Sequence, residues 1–179
     1  VPEGPEVRRQ ADRVRRAVGG ERAERVRFGL ERLAEFEAEL GGRCVTGVES
    51  RGKALLVHFS AGLSVYTHSQ LYGRWRVVAA GAPPKTSRQL RFAVEAPSRW
   101  ALLYSASDIE VLETARLSEH PFLARLGPDA LDPEVEAEAI AERLDAKRFR
   151  SRQLGALLLD QGFVAGLGNY LRSEILFFA

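Results

Sequence analysis

Residues 151–178 read SRQLGALLLDQGFVAGLGNYLRSEILFF. Two apolar stretches flank the segment Gln161-Gly162-Phe163-Val164-Ala165-Gly166-Leu167-Gly168. Three glycines close together imply two consecutive tight turns, because glycine adopts the backbone angles such turns demand. The pattern predicts a helix over 151–160, a double turn, and a second helix over 168–178 that begins near Asn169. Asparagine is an ordinary helix cap. The first-turn amides of such a helix point outward, where they can bind a phosphate. The helix–two-turn–helix is more specific as a unit than any residue in it.

Working back toward the N-terminus, residues 133–144 (PEVEAEAIAERL) also carry a helical pattern. Gly127-Pro128 is a strong breaker ahead of it. Before about residue 115 the texture is different. Residues 43–50, 53–59, 63–68, 73–79, 88–95 and 99–105 are short runs rich in Val, Leu and aromatic residues, separated by turn residues. Regular short strands of this kind suggest a sandwich or barrel. Residues 24–30 alternate like a further strand, 31–40 suit a short helix or turn, and 81–87 (GAPPKTS) form a loop. Val7, Ala11, Val14 and Val18 share one face of a leading helix over 5–18, stopped by Gly19-Gly20. The expected fold class is therefore α+β. Residues 1–120 form an N-terminal β-sandwich with a leading helix, and 121–179 an all-helical domain.

Composition limits the function classes. Hydrophobic content of 45% and aromatic content of 8% suit a globular core and argue against disorder. A net charge of +2 does not announce a nucleic-acid binder, but five arginines within 8–16 and the run KRFRSR at 147–152 could track phosphates. Cys44 stands alone, so an internal disulfide and any multi-cysteine metal site are excluded, and a reducing compartment is expected. No apolar stretch approaches the ~20 residues of a membrane span, and no signal-peptide pattern opens the chain. A soluble cytoplasmic monomer is the expectation.

The chemistry is concentrated in residues 1–9, VPEGPEVRR. The chain holds no methionine, so Val1 reads as a valine start codon whose residue is removed ahead of a small neighbour. Pro2 would then be a terminal secondary amine, a nucleophile titrating near pH ~8. Glu3 follows at once, within reach to donate or accept a proton. Read blandly, the same residues are a helix start with Pro5 at its first position and acids in the first turn. Lys53, after Arg51-Gly52, is either a surface charge or a cation held at an anionic reaction centre. Gln70-Leu71-Tyr72 interrupt the strand series before Gly73. They are either ordinary core or a wedge able to enter a base stack.

PEGPEVRR, RGKALL, QLYG and LLLDQGFVAGLGNYLRSEIL together resemble the formamidopyrimidine-DNA glycosylase / endonuclease VIII family. The likeness runs through the chain in order, and QLYG and YSASDIE bring it nearest to bacterial endonuclease VIII. The resemblance implies a bacterial base-excision-repair enzyme acting on damaged double-stranded DNA in the nucleoid. It implies that Pro2 attacks C1′ of a damaged nucleotide, that Glu3 donates a proton, and that Lys53 serves the elimination step. Glu6 corresponds to a further active-site acid. Gln70, Leu71 and Tyr72 correspond to the loop that fills the gap left by a flipped nucleotide, and Arg125 and Asn169 to phosphate contacts. Preference for oxidised pyrimidines is implied in the same way.

The family's one structural zinc sits in a C-terminal four-cysteine finger, for which these 179 residues hold no ligand set. No metal or other cofactor is therefore expected here, and base excision is expected to be weaker than cleavage at abasic sites already formed. A non-catalytic binder of damaged DNA and a ribosome-associated RNA binder are the competing readings.

Overall fold

The computed structural model describes residues 2–60 and 62–179. Helix α1 spans Gly4–Val18 and buries Val7, Ala11, Val14, Ala17 and Val18 along one stripe. The Glu6 carboxylate accepts the Glu3 backbone N–H at 3.1 Å, closing the start of the helix. At the other end the Gly19 N–H returns to the Arg15 carbonyl at 2.8 Å.

Eight strands follow, in two four-stranded antiparallel sheets. One runs β1(Arg25–Phe28), β6(Leu90–Glu95), β7(Arg99–Tyr104), β5(Arg74–Ala79). The other runs β2(Val45–Arg51), β3(Ala54–Phe59), β4(Leu63–His68), β8(Asp108–Glu113). A short helix α2(Phe36–Leu40) lies between β1 and β2. Leu55, Val57, Phe59, Val65, Phe92, Val94, Leu103 and Ile109 fill the space between the sheets together with the α1 stripe. The β3 run is apolar on both faces because both are covered. Its alternate residues Ala54 and Leu56 join Tyr66, Leu117 and Leu123 in a second cluster on the outer side.

The expected α+β class and β-sandwich are present. β8 was not among the expected strands. Its Asp108, Glu110 and Glu113 disguise it, but Ile109 and Val111 alternate inward against β4. Two 3₁₀ turns, Thr114–Glu119 and Leu123–Arg125, lead into the helical segment.

Two helices are shorter than their sequence patterns suggest. α3 covers Ala137–Asp145, because Asp132 takes the Glu134 N–H at 3.0 Å and holds a turn where a helix was expected. α4 is reduced to Leu154–Leu157. On its N-terminal side the chain bends to bury Phe149 against Phe163, with ring centroids 5.2 Å apart. On its C-terminal side the Asp160 carboxylate accepts the Gly162 N–H at 2.8 Å and opens the double turn. α5 covers Asn169–Phe178. Phe149, Leu157, Leu158, Phe163, Val164 and Leu167 form the core of this segment.

Candidate active site and nucleic-acid interface

The two ends of the chain meet at Glu3. Its carboxylate is buried and accepts three backbone N–H groups, from Gly168 at 2.9 Å, Tyr170 at 2.8 Å and Leu171 at 3.1 Å. These are the amides at the start of α5, a natural anion site. The expectation that they face outward for a phosphate is therefore corrected. The anion they hold is the chain's own Glu3, and Asn169 meets solvent with its side chain beside that occupied terminus.

Gly168 is required for this approach, because a Cβ there would collide with the Glu3 carboxylate. One turn earlier the Gly4 N–H donates to the Gly166 carbonyl at 2.8 Å. Gly166 has φ +90, and a side chain on Gly4 would meet its backbone at 3.1 Å. The double turn is thus shaped to receive the N-terminal segment, which sequence reasoning did not foresee. Its own framework comes from Gln161, whose amide donates to the Leu167 carbonyl at 2.8 Å and accepts from Gly166 at 3.0 Å. Arg143 reinforces it by donating to the carbonyls of Gly162 and Phe163 at 2.6 and 3.0 Å.

Pro2 is half-buried next to this anchor. Val1, on whose removal the nucleophile depends, lies outside the described residues. Glu6 is spent on the Glu3 N–H and on Arg9, with which it pairs at 2.8 Å. That places it as a support of the Glu3 backbone.

Lys53 stands in the turn between β2 and β3, half-buried. The Asp129 carboxylate accepts the neighbouring Gly52 N–H at 2.9 Å, tying this turn to the helical segment. Burial pushes the Lys53 amine below its ordinary value of 10.5, and the negative charge of Glu3 partly opposes that shift. Glu3 and Lys53 are therefore electrostatic neighbours, although half a sheet separates them in sequence. His68, paired across the sheet with Ala54, is lowered from 6.5 by burial. Asp108 opposes the shift and Lys53 adds to it.

Immediately after His68 comes the segment read as core or wedge. Leu71 is 66% and Tyr72 70% exposed, so the core alternative is ruled out. Gln70 adopts φ +50 and the turn carries the chain from β4 in one sheet to β5 in the other. Arg125 is exposed in its 3₁₀ turn, its Nε donating to the Pro121 carbonyl at 2.7 Å. Its backbone lies against Gly162 in the double turn, so Arg125 and Asn169 border the same element.

Glu3 docked at a helix terminus, Lys53 lowered by burial and sensing the charge of Glu3, and the exposed turn 70–72 are the candidate groups of the site. Residues 1–106 match the formamidopyrimidine-DNA glycosylase N-terminal domain and residues 126–179 the formamidopyrimidine-DNA glycosylase H2TH domain. The chain belongs to this family of DNA glycosylase/abasic-site lyases, enzymes of base excision repair. Among its relatives, Endonuclease 8 of Escherichia coli strain UMN026 is 54% identical over 176 residues, covering 98% of this chain and 67% of the relative. Endonuclease 8 of Shigella flexneri is 53% identical over the same length and shares. In structure the chain is similar to Lactococcus lactis Fpg bound to DNA containing an oxidised pyrimidine. That match has a TM-score of 0.80 at 20% identity and covers 98% of this chain and 67% of the other. A complex of the same Lactococcus lactis protein with abasic-site DNA aligns with a TM-score of 0.79 at 20% identity, covering 97% and 67%.

Proposed function

We propose that this chain removes oxidised pyrimidine bases from duplex DNA and cleaves the strand at the resulting abasic site. The observation that carries the reading is the docking of Glu3 onto the start of α5, with its negative charge felt at the half-buried Lys53 amine. It sets the N-terminal residues and the helix–two-turn–helix into one site. With Val1 removed, the Pro2 nitrogen attacks C1′ of the sugar. The C1′–base bond breaks, and the base leaves with the bonding pair and a proton. The C1′–O4′ bond then opens, O4′ leaving with the bonding pair and taking a proton by way of Glu3 to become the 4′-hydroxyl, while the nitrogen lone pair forms the C1′=N bond of an iminium ion, a Schiff-base strategy.

The iminium acidifies the C2′ proton. Its loss to a base expels the 3′ phosphate and breaks the strand, and water then releases the proline. Lys53, with its proton held loosely by burial, suits the transfers of the elimination step. Glu3 sits next to the attacking amine in sequence, and both its oxygens are held in place by backbone donors. A base inside a duplex cannot reach such a nucleophile, so the nucleotide must be turned out and the hole filled. Leu71 and Tyr72 are exposed in a turn beside His68 and suit that task. Arg125 and Asn169 suit the flanking phosphates.

Borohydride reduction of the Pro2-terminal chain with abasic-site duplex is expected to leave a covalent protein–DNA adduct. Acetylation of the terminal amine is expected to abolish it. Binding to the duplex without an adduct would remove the lyase reading and leave a non-catalytic binder.

A further inference from the structure

The turn 70–72 is held from outside itself. Among the described residues, Gln70 and Ser105 are the two non-glycine residues with positive φ, +50 and +55. Such angles are unfavourable for residues with a Cβ and persist only when surrounding contacts enforce them. The two lie on different connections, β4–β5 and β7–β8, each crossing from one sheet to the other.

The connections touch through side chains. The Ser107 hydroxyl donates to the Gln70 side-chain oxygen at 3.0 Å. Arg88, at the approach to β6, donates from one guanidinium nitrogen to the Tyr72 carbonyl at 2.9 Å. The Ser105 N–H is held by the Gln89 carbonyl at 2.9 Å, so the two anchors share a base. Within the turn the Gln70 N–H donates to His68 Nδ1 at 3.2 Å, and the Gly73 N–H to the Ser69 carbonyl at 2.7 Å. Leu71, between the two outside anchors, has its side chain in solvent.

We propose that Ser107 and Arg88 are positioning residues that pre-set the turn 70–72 in its insertion-ready shape before DNA arrives. This rests on the wedge reading of that turn. An unanchored turn of this length would sample many shapes, and DNA binding would have to select the competent one. Two anchors on neighbouring connections, Ser107 before β8 and Arg88 before β6, remove that selection from the flipping step, which is the general advantage of preorganisation.

The test measures nucleotide flipping in the full chain by stopped-flow fluorescence of 2-aminopurine placed next to a thymine glycol in duplex DNA. Leu71→Gly serves as the reference for loss of the wedge. Ser107→Ala is expected to slow the fluorescence rise by about three- to tenfold, the scale of one hydrogen bond. Ser107→Thr, which keeps the hydroxyl, is expected to restore it. Arg88→Ala is expected to slow it by a similar factor. Cleavage of a single-stranded abasic oligonucleotide, which has no stack to fill, is expected to change less than twofold in Ser107→Ala, a split that general misfolding would not produce.

Should Leu71→Gly slow flipping while Ser107→Ala matches the parent, the positioning role is overturned and the wedge reading stands. Should Leu71→Gly itself flip at the parent rate, the wedge reading falls and the positioning role falls with it.

Discussion

At the residue scale the site turns on Glu3 and Lys53. The lysine amine is lowered by burial and raised by the acid's charge. Removing that charge leaves burial unopposed. Glu3→Gln is therefore expected to lower the Lys53 pKa further, visible as an earlier titration of the reductively ¹³C-methylated amine by NMR. An upward shift would contradict the proximity of the two groups. Arg125 makes a separate prediction. Its Nε is engaged with a backbone carbonyl while the side chain is exposed. If it meets a phosphate, Arg125→Ala should weaken binding to all duplexes alike. It should also reduce the slope of log affinity against log salt by about 1. An unchanged slope would remove Arg125 from the DNA interface.

At the scale of elements, α5 and the double turn are built around a foreign carboxylate. A helix start normally satisfies its free amides with its own cap or with water. Here Glu3 supplies the acceptor from the opposite end of the chain, and Gly168 leaves the room for it. Gly168→Ala puts a methyl group where the carboxylate lies. It is expected to cost about 2 kcal/mol or more through overpacking and lost charge-assisted hydrogen bonds. Denaturant unfolding of the variant measures that cost. A loss below about 0.5 kcal/mol would mean that the carboxylate can sit elsewhere. Unlike the turn 70–72, whose side chains reach solvent, this junction is expected to be rigid on the timescale of binding.

At the scale of the whole molecule, hydrogen bonds link Glu3 to α5, Gly4 to Gly166, and Gly52 to Asp129, and with the packing of Leu123 on the outer cluster they bind the sandwich to the helical segment. Acid acts on the molecule in separate windows. His68 is held below its ordinary 6.5 by burial, so its folded pKa lies under its unfolded one. The unfolded chain takes up a proton first, and stability that is full above about pH 6.5 falls as pH drops through the folded value. Glu49 is lowered from 4.5, chiefly by the His58 ring, whose Nε2 lies 3.3 Å from its carboxylate, and Asp160 from 3.8, chiefly by its hydrogen bond with Arg152. Their contributions are present above those ordinary values and are lost below them. Thermal unfolding from pH 8 to 3 is expected to show a first decline beginning near pH 6.5, absent in His68→Asn, and a steeper one below about 4.5. A decline starting only below 4.5 in the parent would contradict the depressed His68.

The alternating short runs determined the sandwich, because a period of two with turn residues between leaves few other ways to bury one face. The spacing of Val7, Ala11, Val14 and Val18 determined the leading helix for the same reason. The glycines from 162 to 168 marked the double turn, and VPEGPEVRR placed an acid directly after a proline. Local patterns carry such facts because each is a property of neighbouring residues. β8 was hidden because Asp108 and Glu110 alternate on an outer face and Glu113 closes the run, and only the pairing with β4 shows it as a strand. The helices over 133–144 and 151–160 were overread, since propensity knows nothing of the turn Asp132 holds or the pocket Phe149 fills. Whether Leu71 and Tyr72 were core or exposed depended on where two sheets part. That α5 accepts Glu3 rather than an external phosphate depended on two segments more than 160 residues apart meeting. Contacts of that range leave no local trace, because each partner's sequence is compatible with many others until folding selects one.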